Sequence, residues 1–270
     1  DPNRLFPDGR PAGEPDPDEE PPSALEMAYT RLFDEIRATA GLYVDLHNAW
    51  TGSVSFAYRD RVFYRNEGSA AERKRARGEA QKVDQQLGEM CAAYGHPIVN
   101  ELPVKKYLAN KLHRSTTAAA VNLAHIPALT MELGTGHLPD PAIVSAAGAG
   151  LRNVMRWAGM LPGDPEPIAG IRLPNPGFAC RRRMAPYTSQ ACVIHHLCEP
   201  GDLIEKGQAI AEVRDIYGRP VGEKVLYSEY DGWVIARSHG VIYYPGQEVY
   251  GLAIRDDLPT VQAYPKDYFK

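Results

Sequence analysis

Three short stretches of the chain carry side chains whose types and spacing could do chemistry. In LYVDLH (42–47) an apolar run ends on Asp45 and His47. They lie two residues apart, so in a strand both point to one side near its C-terminal end. HIPALTMELG (125–134) is a second apolar run with one acid, Glu132, near its end. A carboxylate or imidazole at the tip of an apolar strand is costly to bury unless something pairs with it, which points to a metal or a substrate. The plainer alternative is a histidine bonded to backbone and a glutamate in an ion pair. The third stretch is the opening DPNRLFPDG, an Asp-x-Asn-Arg cluster of Asp1, Asn3 and Arg4.

The surrounding elements read as an α/β layer. Residues 7–22 are rich in proline and acid and read as an exposed loop. A surface helix follows, with Ser23 as N-cap, Glu26 completing a capping box, and Leu25, Ala28, Leu32, Phe33 and Ile36 at helical spacing; Gly41 ends it. LYVDLH then has the apolar character of a strand in the buried middle of a parallel sheet. The stretch at 70–95 is a second helix with a basic, solvated start, and 140–161 a third, with Asp140 as N-cap and Pro141 as first helical residue. Helices alternating with apolar strands argue a largely parallel sheet, whose ligands gather at the carboxyl ends of strands. After about residue 165 the texture changes to short alternating strands broken by Pro-Gly, Lys-Gly and Asp-Gly. That predicts a small antiparallel β-domain.

Composition narrows the partners. With 270 residues, 44% hydrophobic, 24% charged and a net charge of -4, the chain is long enough for two cores. It has no overall attraction for nucleic acid or an anionic membrane, and no apolar run approaches the roughly 20 residues that span a bilayer. Cys91, Cys180, Cys192 and Cys198 are too sparse for a disulfide scaffold and fit reduced thiols in a cytoplasmic protein.

D-x-N-R in DPNRLFP, D-L-H-N in YVDLHNAW and E-x-G in PALTMELGTGH resemble, in that order, the succinylglutamate desuccinylase and aspartoacylase family of the zinc carboxypeptidase clan. The resemblance covers the whole chain and implies a catalytic domain at 1–168 and a β-domain lid at 169–270. It implies one zinc ion held by two histidines and a glutamate, with His47 as the downstream ligand and the first two ligands on an H-x-x-E turn. By the same resemblance Glu132 is the general base that takes a proton from zinc-bound water. Asn3 and Arg4 grip the substrate carboxylate, for which a planar guanidinium fork has the geometry. Asp1 hydrogen-bonds a zinc-ligating histidine, and Asp45 orients nearby ligands or simply caps the strand end.

One part of the pattern is missing from its place before DLHN. His96, His113, His125 and His137 all follow DLHN, and none has Glu three residues on. The H-x-x-E pair and the oxyanion arginine are therefore expected upstream of residue 1, with the chain truncated inside its motif. Other candidates carry less. Cys192, His195, His196 and Cys198 crowd into ACVIHHLC, but a single strand cannot wrap three tetrahedral ligands round one ion. The β-domain resembles a biotinyl or lipoyl hammerhead, yet Lys224 lacks the flanks of a modified lysine. Arg181, Arg182 and Arg183 read first as solvated and second as screening an acidic substrate, and Arg114 as a candidate for selectivity.

These readings converge on a zinc-dependent deacylase hydrolysing a small N-acyl amino acid or related carboxylate. The rivals are a non-catalytic binding or scaffold member of the fold and a peptide-cleaving zinc carboxypeptidase. Homo-oligomer formation is left open.

Overall fold

The computed structural model describes residues 1–10, 21–50, 52–134, 136, 139–238, 240–266 and 268–269. Most of the proline- and acid-rich stretch, and His137, lie outside the described residues. Helix α1 (Ala24–Thr39) starts on the predicted capping box: the Ser23 hydroxyl accepts from the Glu26 amide and the Glu26 carboxylate accepts from the Ser23 amide. Its predicted apolar stripe is narrower than the spacing suggests. Phe33 is buried against Phe6 and Ala119, whereas Leu25 and Leu32 are each 46% exposed, because the helix rests on its neighbour along one line only.

Helix α2 (Ala70–Tyr94) uses the same device with Ser69 and Glu72 and ends at Gly95, whose φ of 80° is the left-handed conformation that closes a helix. Helices α3 (Val104–Ala109) and α4 (Thr116–Leu123) follow, the latter buried from Thr116 through Asn122. Helix α5 (Pro141–Trp157) is capped by Asp140, which accepts from the amides of Ala142 and Ile143 as predicted. None of the described helices is long and apolar enough to cross a membrane.

The strands are β1 (Tyr43–His47), β2 (Phe56–Arg59), β3 (Val62–Tyr64), β4 (Ile98–Asn100), β5 (Ala128–Glu132), β6 (Cys180–Met184), β7 (Cys192–His196), β8 (Leu203–Ile204), β9 (Ala209–Arg214), β10 (Pro220–Tyr227), β11 (Gly232–Arg237), β12 (Ile242–Tyr243), β13 (Tyr250–Arg255) and β14 (Val261–Ala263). Eight of them form one sheet in the order β1-β5-β2-β4-β6-β13-β11-β8. The pairs β1–β5, β2–β4 and β4–β6 are parallel, with one antiparallel step at β5–β2. Beyond β6 the pairing turns antiparallel.

The C-terminal β-region therefore divides its strands. Four build a separate antiparallel sheet, β10-β9-β7-β12, four continue the α/β sheet, and β14 pairs in parallel with β3. A shared cluster joins the halves, with Phe56, Tyr58 and Val99 packed against Trp233, Ile235 and Ala253. One expectation fails: β1 is an edge of the sheet rather than its buried middle. It pairs with β5 on one side only, so Leu46 remains 49% exposed.

Arg61, in the turn between β2 and β3, has no exposed surface. Its Nη2 donates to both Asp256 oxygens at 3.1 and 2.9 Å, its Nε to the Glu101 carbonyl at 3.1 Å, and its Nη1 to the Pro259 carbonyl at 3.0 Å. Asn100 donates to the same Asp256 carboxylate at 2.8 Å. The end of β4 is thereby fixed to the segment after β13. Removing one partner of such a buried pair costs about 3–5 kcal/mol, because the other charge is left uncompensated. Arg61→Met is expected to lower the unfolding free energy by that amount, read as a lower urea midpoint at unchanged slope, and Arg61→Met with Asp256→Leu to recover part of it.

Candidate functional site

Parallel pairing of β1 with β5 sets His47 beside Glu132 at the carboxyl ends of both strands. His47 Nε2 lies 3.0 Å from Asp45 Oδ2, and its Nδ1 faces Glu132 Oε1 at 4.0 Å. The hydrogen bond to Asp45 raises the pKa of His47, with burial opposing it. Glu132 is in the opposite position. Its Oε2 is buried and has no hydrogen-bond partner among the described residues, and burial pushes its carboxyl up to about 7. A carboxyl tuned to that range can take and return a proton near neutral pH.

The N-terminal cluster forms a short 3-10 turn, Pro2–Arg4. Asp1 caps it, accepting from the Asn3 amide at 2.9 Å, and its other oxygen sits 3.6 Å from the Arg4 guanidinium. Asn3 is anchored at the start of α4: its Oδ1 accepts from the Thr116 amide at 2.9 Å and hydroxyl at 3.0 Å. That leaves the Asn3 amide hydrogens for a ligand. Arg114 braces the segment from behind by donating to the Phe6 carbonyl at 2.9 Å. Burial and then the nearby Arg182 charge depress the pKa of Arg4.

A cavity of about 170 Å³ gathers these groups. Asp1, Asn3, Arg4, His47 and Glu132 line it, together with residues the motifs did not point to: Tyr58, Asp60, Glu101, Thr117 and Arg182. Asp60 is buried; it accepts from the Tyr107 hydroxyl at 2.6 Å and the Thr117 hydroxyl at 2.8 Å, and burial pushes it up to about 6. Asp45 supports His47 from outside the lining.

Arg182 corrects the reading of the arginine run as solvated. Register with Ala253 of β13 turns it inward from β6, its Nε 3.2 Å from Glu101 and its guanidinium over the Tyr58 ring at 5.3 Å. Burial disfavours its charge, but Glu101 and Tyr58 outweigh that and hold its pKa above the ordinary value. An alternating surface strand has the same letters, so only its strand neighbours could reveal it.

A second cavity, of about 290 Å³, shares Tyr58, Glu132 and Arg182 with the first. A larger one of about 450 Å³ opens elsewhere, beside Gly95, Pro97 and Leu173, and holds neither His47 nor Glu132. His195 and His196, singled out in the sequence, pair with Glu212 and the Tyr243 hydroxyl instead.

His47, steadied through one ring nitrogen by a carboxylate, has the chemistry of a zinc ligand. A catalytic zinc takes three protein ligands. Among the described residues no group of three His, Cys, Asp or Glu side chains is disposed to hold a metal. The residues present do not by themselves fit the ion.

No family profile and no curated protein matches the chain. Solved structures do. A succinylglutamate desuccinylase from Silicibacter sp. TM1040 superposes with a TM-score of 0.61 at 16% identity, over 94% of this chain and 67% of that one. A succinylglutamate desuccinylase/aspartoacylase from Rhodobacter sphaeroides gives 0.61 at 16%, over 95% and 68%. The ectoine utilization protein EutE (DoeB) from Ruegeria pomeroyi gives 0.59 at 20%, over 94% and 69%. The chain has their fold. It spans about two thirds of the length of each. Within the desuccinylase/aspartoacylase fold, the carboxyl ends of β1 and β5 and the Pro2–Arg4 turn are the elements that bring the sequence motifs together.

The environment of Glu132 has a measurable consequence. Its carboxyl is held above its unfolded value, so its stabilising contribution is full below about 4.5 and is lost as pH rises through about 7. Glu132→Gln is therefore expected to melt above the parent at pH 8, by on the order of 2 kcal/mol, and to match it at pH 4. Thermal scans across that range, with carboxyl carbon NMR of Glu132, check it.

Proposed function

We propose that the chain belongs to a deacylase that hydrolyses the amide of a small N-acyl amino acid or related carboxylate. The observation that carries this reading is Glu132: a buried carboxyl with one oxygen unpartnered among the described residues and pushed by burial up to about 7, facing a cleft that holds two arginines. Arg4 and the free amide of Asn3 hold the substrate carboxylate. Glu132 takes a proton from the attacking water as its oxygen bonds to the acyl carbon. It then gives that proton to the amine nitrogen as the C–N bond breaks, leaving a carboxylic acid and an amine. Arg182, at the shared wall of both cavities, offers positive charge where the carbonyl oxygen turns negative.

Zinc dependence is part of the proposal in a limited form. His47 is one ligand, and the remaining ligands would have to come from outside the described residues. A small neutral-pH substrate, no nucleic-acid partner and a cytoplasmic setting go with this reading; the four free cysteines and the net charge of -4 support it. A peptidase fits less well, because a cavity of about 170 Å³ has room for a small substrate rather than a peptide. A carboxylate-binding member without turnover is the second reading, favoured by His47 being the single histidine of the site among the described residues.

The test is metal content and amide hydrolysis together. The chain is expected to hold far less than one equivalent of zinc after dialysis and to hydrolyse poorly. A protein carrying the remaining ligands is expected to hold one, and Glu132→Gln in it to lose about 10²–10⁴ in kcat with metal content unchanged. One equivalent of zinc in the chain alone would show the ligands to be misplaced.

A further inference from the structure

The two cavities that meet at Glu132 and Arg182 differ in chemistry. The smaller is charged, with Arg4, Asp60 and Glu101 in its wall. The larger is walled by Ala49, Trp50, Phe56 and Tyr58, with Asn48 the one further polar lining residue. Its charged groups, Glu132 and Arg182, are those it shares with the first.

These walls are built rather than incidental. Phe56 and Tyr58 are buried and meet edge to face at 4.8 Å, and Phe56 is backed by Trp233 at 6.3 Å. Trp50 lies over Gly251, where a Cβ would come within 3.0 Å of its ring. A side chain at 251 would require the indole to give by a few tenths of an ångström, so the two positions pack tightly.

We infer that the aromatic cavity is the acyl-group site, and that it selects N-acyl amino acids whose acyl group is neutral and apolar, such as hexanoyl or benzoyl. This rests on the deacylase reading and adds the substrate class to it. With Arg4 and Asn3 holding the amino acid's carboxylate in the charged cavity, the scissile amide falls at the shared wall. The acyl chain then continues between Trp50, Phe56 and Tyr58. An acetyl group leaves most of about 290 Å³ unfilled and forfeits the contacts of those walls. A succinyl group brings a second carboxylate among aromatic rings, past the one guanidinium that Glu101 already engages. Burying that charge unpaired is strongly unfavourable, whereas each methylene of an apolar chain gains.

Binding, rather than turnover, tests this without depending on metal. N-hexanoyl-, N-acetyl- and N-succinyl-alanine are titrated into the chain, read by calorimetry and tryptophan fluorescence. The hexanoyl compound is expected to bind at least tenfold more tightly than either of the others. Ala49→Phe, whose ring would occupy the cavity, is expected to reduce that preference below twofold; Ala49→Leu serves if the larger residue fails to fold. Acetyl or succinyl binding as tight as hexanoyl, no hexanoyl binding, or a preference untouched in a folded Ala49 variant overturns the inference. Selective hexanoyl binding with no hydrolysis by a zinc-loaded protein carrying the remaining ligands sinks the deacylase reading and leaves the acyl site standing.

Discussion

A guanidinium with no exposed surface must find an acceptor for its donors within the protein, and Arg61 finds them on chain segments far apart in sequence. Its bonds to Asp256, to the Glu101 and Leu102 carbonyls and to the Pro259 carbonyl lock the end of β4 against the segment after β13. Glu101 is thereby held by its backbone. Its side chain in turn engages Arg182, which leans over Tyr58. The position of the one cation that separates the two cavities thus depends on a buried ion pair that never touches a ligand.

The side chains of the cleft include more acids than arginines. Arg4 and Arg182 oppose Asp1, Asp60, Glu101 and Glu132 within a small, partly desolvated volume. Glu101 is met directly by Arg182, and Asp60 by two hydroxyls. Glu132 has a histidine at 4.0 Å and a buried oxygen without a partner among the described residues. Burial raises both buried carboxyls against their partners, Asp60 to about 6 despite its two hydroxyls and Glu132 to about 7 despite His47 and Arg182.

Much of this was legible in the letters, and the reasons differ by element. Asp45, His47 and Glu132 could be placed because strand period and apolar context fix which side and which end a residue occupies. The caps Ser23 and Asp140 were readable because their bonds are local. Helix α4 was not, since a helix buried all round has no polar face to give it a period. The same limit hid Arg182, Glu101 and Asp60, whose roles come from register and turns between distant strands rather than from neighbours in sequence. β1 misled for the reverse reason: its apolar content is that of a central strand, while its place in the sheet is an edge.

That edge has a physical consequence of its own. The outer side of Tyr43–His47 presents a row of peptide groups with no strand partner among the described residues, and such a row is a template for pairing with another chain. With half-exposed Leu46 on the same strand, little but the charges of Asp45 and His47 opposes such pairing. Self-association in concentrated solution would therefore begin a few ångströms from the imidazole of the site. In this fold, colloidal behaviour and access to His47 are two readings of one unpaired strand.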